Sequence, residues 1–185
     1  MKFIETDFEN CYVIEIEKKE DDRGFFARTW DSEILKKQKL NGNLVQCSVS
    51  FNVKKHTLRG MHYQIHPHSE VKLVRCTRGK ILDVVIDLRR DSKNFKKWIS
   101  VELSEENFRM IYIPEGMAHG FQTLENNTEV FYQMTQNHMP EFAKGIRWND
   151  KIFNIRWPNM ATPILSKKDS EYPDFKENEG FKNDK

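Results

Sequence analysis

The stretch Leu58-Arg59-Gly60-Met61-His62-Tyr63-Gln64 sits between two strand-like segments and brings an arginine, a histidine and a glutamine close together. Successive side chains of a strand point to opposite faces. An extended run therefore groups Leu58, Gly60, His62 and Gln64 on one face and Arg59, Met61 and Tyr63 on the other. A basic stretch, Lys72 to Arg75, follows, and a second histidine stands at His119. Arginine and lysine hold phosphate oxygens through charge-assisted contacts, and imidazole is a base near neutral pH. The combination points to a site for an anionic ligand.

Outward from this run, short apolar segments punctuated by turn signals recur along most of the chain. Cys11–Glu17 alternates, Asp21-Asp22-Arg23-Gly24 is a turn, and Phe25–Trp30 resumes an extended pattern. Ser32–Leu40 predicts a short helix with Asp31 or Ser32 as N-cap and Gly42 just past its end. Leu44–Phe51, Leu58–Gln64, Val71–Cys76, Lys80–Leu88, Trp98–Leu103, Arg109–Pro114, His119–Leu124 and Thr128–Thr135 complete a set of at least nine strands. Many short strands at this spacing predict an all-β fold, either a closed barrel or a two-sheet sandwich. After Pro140 the pattern gives way to a loop-rich closing segment containing Trp148-Asn149-Asp150 and Trp157-Pro158, and residues 170–185 read as a loose polar tail.

The length of 185 residues fits one domain able to bury a core without disulfides. A net charge of +2, from 30 Lys+Arg against 28 Asp+Glu, gives no case for nucleic acid or for an acidic membrane surface. Cys11, Cys47 and Cys76 are odd in number and lack CxxC spacing, which suits a reducing compartment. The N-terminal residues hold no apolar segment of the kind a signal peptide needs, and no apolar run approaches the roughly 20 residues of a membrane span. A cytoplasmic protein is expected.

At the level of motifs the chain resembles the dTDP-4-dehydrorhamnose 3,5-epimerase family. The landmarks are Arg23-Gly24-Phe25-Phe26, Leu58 to Gln64, Lys72-Leu73-Val74-Arg75-Cys76, Gly79, Asp83, Asp87-Leu88-Arg89, Ile113-Pro114-Glu115-Gly116, Ala118-His119-Gly120-Phe121, Tyr132, Gly145-Ile146, Trp148-Asn149-Asp150, Trp157-Pro158 and Leu165-Ser166-Lys167-Lys168-Asp169. They run in order from Asp22 to Asp169, about four fifths of the chain. The resemblance implies an antiparallel jelly-roll barrel of the cupin type with a short loop- and helix-rich C-terminal closure. It also implies a homodimer that exchanges N-terminal strands, and a reaction that needs neither metal nor organic cofactor. That reaction removes protons from the carbons flanking a 4-keto group of a nucleotide-diphosphate 6-deoxy sugar and returns them to the opposite face. It calls for a base, a group that stabilises the enolate oxygen and an acid on the other side of the ring.

The same resemblance assigns roles. His62 matches the general base and Asp169 the carboxylate that orients it. Tyr132 matches the acid, since a phenol of ordinary pKa near ~10 keeps its proton at neutral pH. Lys72 matches a residue near the sugar oxygens and the enolate. His119 matches a site-lining hydrogen-bond partner, Arg59 the pyrophosphate ligand and Gln46 a polar contact to sugar or phosphate. Arg23 and Phe26 match residues that hold the nucleotide from the neighbouring subunit. Taken singly each has a plainer reading: a hydrogen-bonded core histidine, a surface aspartate, a sheet tyrosine, a solvated lysine.

Three departures bear on the substrate. Arg28 stands where many family members carry glutamate, and arginine offers only donors. Thr135-Gln136-Asn137-His138 places His138 where the family has a tyrosine, and Gln46-Cys47-Ser48 replaces Gln-x-Asn. None touches the base, its partner or the acid, so the alternatives left open are a GDP- or CDP-linked sugar, a heptose, and inversion at C3 only. A metal-dependent cupin is a further alternative, because Pro114-x-Gly116-x-x-His119 and His66-x-His68 resemble metal-binding motifs. Glu70, however, follows His68 by only two residues, and Thr123 falls where the last ligand is expected. A non-catalytic sugar-nucleotide binding module on the same fold is the remaining rival.

Overall fold

The computed structural model describes residues 1–176, 180 and 181. In chain order its elements are β1 (Lys2–Glu5), β2 (Tyr12–Glu15), β3 (Lys18–Asp21), β4 (Gly24–Ala27), α1 (Ser32–Lys37), β5 (Gln46–Asn52), β6 (Leu58–Gln64), β7 (Lys72–Arg78), β8 (Lys80–Asp87), β9 (Trp98–Ser104), β10 (Arg109–Ile113), β11 (Met117–Thr123), β12 (Thr128–Met134), β13 (Ala143–Gly145) and α2 (Lys167–Ser170). Two antiparallel sheets face each other. One has the order β1-β2-β10-β7-β12-β5 and the other β13-β6-β11-β8-β9, while β3 and β4 form a separate ribbon. The fold is the all-β cupin-like jelly roll that the motifs implied.

Strand periodicity explains the layers. On β8, Ile81 and Val85 point inward and meet Val74, Ile111, Val130 and Phe121 in the core between the sheets, whereas Val84 and Ile86 point outward. The outward face of the five-stranded sheet is covered by the C-terminal segment, through Ile146, Phe153, Ile155, Trp157 and Phe175. Two indoles fasten this cover, Trp98 donating to the Phe153 carbonyl at 3.0 Å and Trp157 to the Trp148 carbonyl at 2.8 Å. On the other sheet α1 lays Leu35 over Ile14, Leu73 and Met110. Asp31 caps α1, accepting from the amides of Glu33 and Ile34. The helix ends earlier than the sequence suggested, at Gln38, because Lys39 turns into the left-handed region at φ 60°.

Two sequence expectations need correction. The stretch beyond Ser170 is not a loose tail among the described residues. Phe175 is buried, and Phe181 pairs with Arg89 and donates its amide to the Leu88 carbonyl. Burying one such phenylalanine contributes about 1.5–3 kcal/mol, enough to hold a polar segment down. Residues 177–179 and 182–185 of the expected tail lie outside the described residues.

The second correction concerns β6. Strict alternation separates Arg59 from His62, yet both line the same cavity, while Leu58 and Met61 pack in the core behind the sheet. The reason is a register shift against β11. His119 pairs with His62, but Phe121 pairs with Arg59, so three residues of β6 span what two span on its partner. A bulge of this kind turns one side chain over and re-aims its neighbours. Gly60 makes it possible at φ 123°, with its α-carbon pressed against Gly120.

Candidate active site

A cavity of about 550 Å³ opens between the two sheets. β5 contributes Gln46 and Ser48, β12 Tyr132 and Met134, and β7 Lys72 from one sheet. From the other, β6 contributes Arg59, His62 and Gln64, and the C-terminal segment adds Ser166, Lys168, Asp169 and Tyr172. The position follows from periodicity. Val130, Tyr132 and Met134 lie two apart on one face of β12. Val130 fills the core, and the next two border the open end.

His62 Nε2 lies 2.6 Å from Asp169 Oδ1, although the two residues are 107 positions apart in sequence. Asp169 is buried, and its carboxylate is fixed locally. Ser166 caps α2, its Oγ accepting from the Asp169 amide at 3.0 Å and donating to Asp169 Oδ2 at 2.9 Å. The cap thus holds the carboxylate through the hydroxyl that also receives its amide. Burial pushes the Asp169 carboxyl up, but the His62 bond and charge, the Ser166 hydroxyl and the Arg59 guanidinium outweigh it and hold it below the ordinary carboxylate range. An ionised carboxylate at Nε2 accepts its N–H and so fixes the tautomer of the imidazole, leaving Nδ1 as the nitrogen with a free lone pair.

Tyr132 faces this pair from the opposite sheet. Burial raises its phenol well above the ordinary tyrosine value, and the nearby Asp83 raises it further against the lowering effect of Arg59. The phenol is therefore a proton holder at neutral pH. Lys72 lines the cavity as an ion pair, its Nζ 2.8 Å from Glu70 Oε1, with both side chains largely buried. Arg59 is aimed by Asn52, whose Oδ1 accepts from Arg59 Nε at 2.8 Å while its amide nitrogen donates to the Thr128 carbonyl.

The remaining sequence-derived residues divide. Gln46 and His138 both border the cavity and are joined, the His138 amide donating to Gln46 Oε1 at 2.9 Å. Gln64 fastens the same loop, accepting from the Met139 amide and donating to the carbonyls of His68 and Asn137. His119 does not line the cavity. It lies buried behind Tyr132, ring centroids 6.0 Å apart, and pairs with the fully buried Asp83 at 2.7 Å. Burial pushes the Asp83 carboxyl up, with His119 and Lys72 pulling against it. Arg23, Phe26 and Arg28 lie on or beside the β3–β4 ribbon, away from the cavity of their own chain. Arg23 pairs with Asp21 and Arg28 with Asp31, and Phe26 is 69% exposed. Sequence reasoning singled out Gln64 in the opening stretch but missed Asn52, Glu70, Ser166 and Tyr172. Among the described residues no three His, Cys, Asp or Glu side chains converge as a metal site would require.

The sequence profile described as dTDP-4-dehydrorhamnose 3,5-epimerase matches residues 5–177. The chain belongs to the dTDP-4-dehydrorhamnose 3,5-epimerase family. It is 39% identical over 172 residues to the dTDP-4-dehydrorhamnose 3,5-epimerase of Shigella flexneri, covering 91% of this chain and 93% of that protein. Its structure resembles the Bacillus anthracis enzyme with TDP and pyrophosphate bound, with TM-score 0.91, 38% identity and coverage of 94% and 99% of the two chains. It also resembles the Legionella pneumophila enzyme in complex with dTDP-4-keto-L-rhamnose, with TM-score 0.88, 33% identity and coverage of 94% and 92%. Members of this family are epimerases of the isomerase class. No helix among the described residues is long and apolar enough to cross a membrane.

Proposed function

We propose that the chain inverts C3 and C5 of a dTDP-linked 4-keto-6-deoxyhexose, with His62 as base and Tyr132 as acid. The observation that carries this reading is the His62–Asp169 pair at 2.6 Å on one sheet with a protonated phenol on the other. The ketone acidifies the hydrogens on its two neighbouring carbons. His62 Nδ1 takes one of them, and the electron pair moves onto the ketone oxygen as an enolate. Lys72 is the cation in the wall able to stabilise that oxygen. Tyr132 then delivers its proton from the opposite side of the ring and is reprotonated by water, while His62 gives the proton it took to water. Repetition at the second carbon completes the reaction. Arg59, steered by Asn52, holds the diphosphate. Support for the dTDP nucleotide comes from relatives at 33–38% identity that hold TDP or a dTDP sugar.

The test is incubation in heavy water with dTDP-, GDP- and CDP-linked 4-keto-6-deoxy sugars. Deuterium uptake at C3 and C5 of the dTDP sugar is expected. Uptake from another nucleotide corrects the base, uptake at C3 alone makes the enzyme single-centred, and no uptake rejects the reading. Tyr132→Phe removes the acid and keeps the base. It lowers epimerisation by about 10²-fold while exchange at the same carbons falls less. Equal loss of both counts against two opposed faces.

The reading includes a homodimer. Val49 and Phe51 are exposed on β5, an edge strand, Val45 and Val53 are exposed just beyond its two ends, and Phe25 and Phe26 are exposed on the ribbon. Unpaired apolar edges of this kind seek a partner strand. A second copy would cover them and bring its Arg23 and Phe26 to the mouth of the cavity. Sedimentation of Val49→Asp/Phe51→Asp as monomers with weakened nucleotide binding is expected; a wild-type monomer in solution rejects the dimer.

A further inference from the structure

The His62 side chain is 42% exposed in the cavity, so packing alone does not fix it. The hydrogen bond to Asp169 pins one ring nitrogen, but a bond at one atom leaves the ring free to swing about it. Tyr172 makes a second contact. Its ring meets the imidazole edge-to-face, with centroids 5.7 Å apart and planes inclined by 69°.

Gly145 is what lets Tyr172 reach this place. β13 pairs with β6 so that Gly145 stands directly opposite His62. A Cβ at position 145 would lie 2.3 Å from Tyr172 Cζ and 2.4 Å from two more ring atoms. The phenol ring thus occupies the space of the missing side chain on an edge strand, beside the cross-strand partner of that glycine. Covering an edge glycine with an aromatic ring restores the packing the sheet lacks there. Tyr172 also lines the cavity, and the Lys168 ammonium lies 6.0 Å from its ring centre. One short segment, residues 168–172, therefore grips the imidazole at two points, by the Asp169 carboxylate and by the Tyr172 ring.

We propose that Tyr172 is a positioning residue for the base: its ring, seated on Gly145, stops the swing of the His62 imidazole and shields that side of it from water. What His62 does rests on the epimerase reading; the contact itself does not. Proton transfer from carbon tolerates little displacement, and an error of about 1 Å costs on the order of 10²-fold. Loss of a single steering contact is a smaller disturbance.

Four variants test the assignment. Tyr172→Ala and Gly145→Ala each lower kcat for C–H exchange by about tenfold, with KM and nucleotide affinity within about twofold of wild type. Tyr172→Phe, which keeps the ring, stays close to wild type. Gly145→Ala/Tyr172→Ala is no worse than Tyr172→Ala, because the added methyl then has no ring to displace. Without substrate, the His62 imidazole NMR signals move in both alanine variants and stay in place in Tyr172→Phe. Unchanged signals and kcat in Tyr172→Ala overturn the proposal. So does a rise in KM with kcat intact, which would make Tyr172 only a wall for the sugar, and so does additive loss in the double variant. If wild-type protein exchanges nothing, the epimerase reading falls alone, and the imidazole signals still decide the contact.

Discussion

His62→Ala abolishes deuterium uptake at C3 and C5, a loss of about 10²–10⁴-fold, while nucleotide binding persists. The large effect follows from the geometry, because the imidazole is the group held on Asp169 that faces the phenol across the cavity. Nucleotide binding survives because the groups proposed to hold phosphate are anchored independently. Arg59 is aimed by Asn52, which is itself tied to Thr128 on β12. The variant has a second, measurable signature. Asp169 keeps Ser166 but loses the hydrogen bond and charge of His62 that help to depress its carboxyl, so its pKa rises while it stays buried. A buried acceptor that loses a partner costs about 1–3 kcal/mol, so the midpoint of urea unfolding falls with the activity. Retained exchange would show that another group is the base. Loss of nucleotide binding along with exchange would show that the cavity had collapsed, and His62→Asn, which keeps a hydrogen-bonding group at the position, then separates the two.

Gly60→Ala is the substitution expected to do most damage to the fold. The added Cβ would lie 2.6 Å from the Gly120 α-carbon and 2.8 Å from the His119 carbonyl oxygen, both backbone atoms that cannot swing aside. The residue also sits at φ 123°, where an L side chain is strained by about 1–3 kcal/mol. Overpacking adds about 1–3 kcal/mol, so a total loss of about 2–6 kcal/mol is expected. With urea m-values of about 1–3 kcal/mol/M, the unfolding midpoint falls by about 1 M or more. The protein that remains folded loses activity too, because the bulge that places Arg59 beside His62 depends on this residue. An alanine variant with wild-type midpoint and activity would mean that the strand crossing of Gly60 and Gly120 is looser than these distances say.

Strands with their own hydrophobic alternation were the most legible part of the fold. β6 was read with its true ends, and β7 to β12 within a few residues, because inward apolar positions such as Ile81 and Val85 repeat every second residue. β1, β3 and β13 escaped. Lys18-Lys19-Glu20-Asp21 carries no apolar face, and Ala143-Lys144-Gly145 is three residues long. Such segments are strands because a neighbour offers a free edge, and that neighbour is not written in their own residues. The burial of Phe175 and Phe181 was hidden for a related reason, since isolated aromatics in a charged stretch give no period to read.

The site divides in the same way. The sequence by itself determined the residue types the chemistry needs: a histidine and an arginine within one strand, a tyrosine on another, an aspartate near the C-terminal end, and motifs in family order. It also determined the all-β class, because side-chain periodicity is a local property of the chain, while the jelly roll was implied by the family motifs. Only the tertiary structure decided that Arg59 and His62 share a wall, since that depends on the register of β6 against β11. Only the tertiary structure withdrew His119 behind Tyr132 onto Asp83 and seated Tyr172 on Gly145 against the base. Those arrangements are contacts between segments tens of residues apart, fixed by strand pairing and by the space that one missing side chain leaves for another.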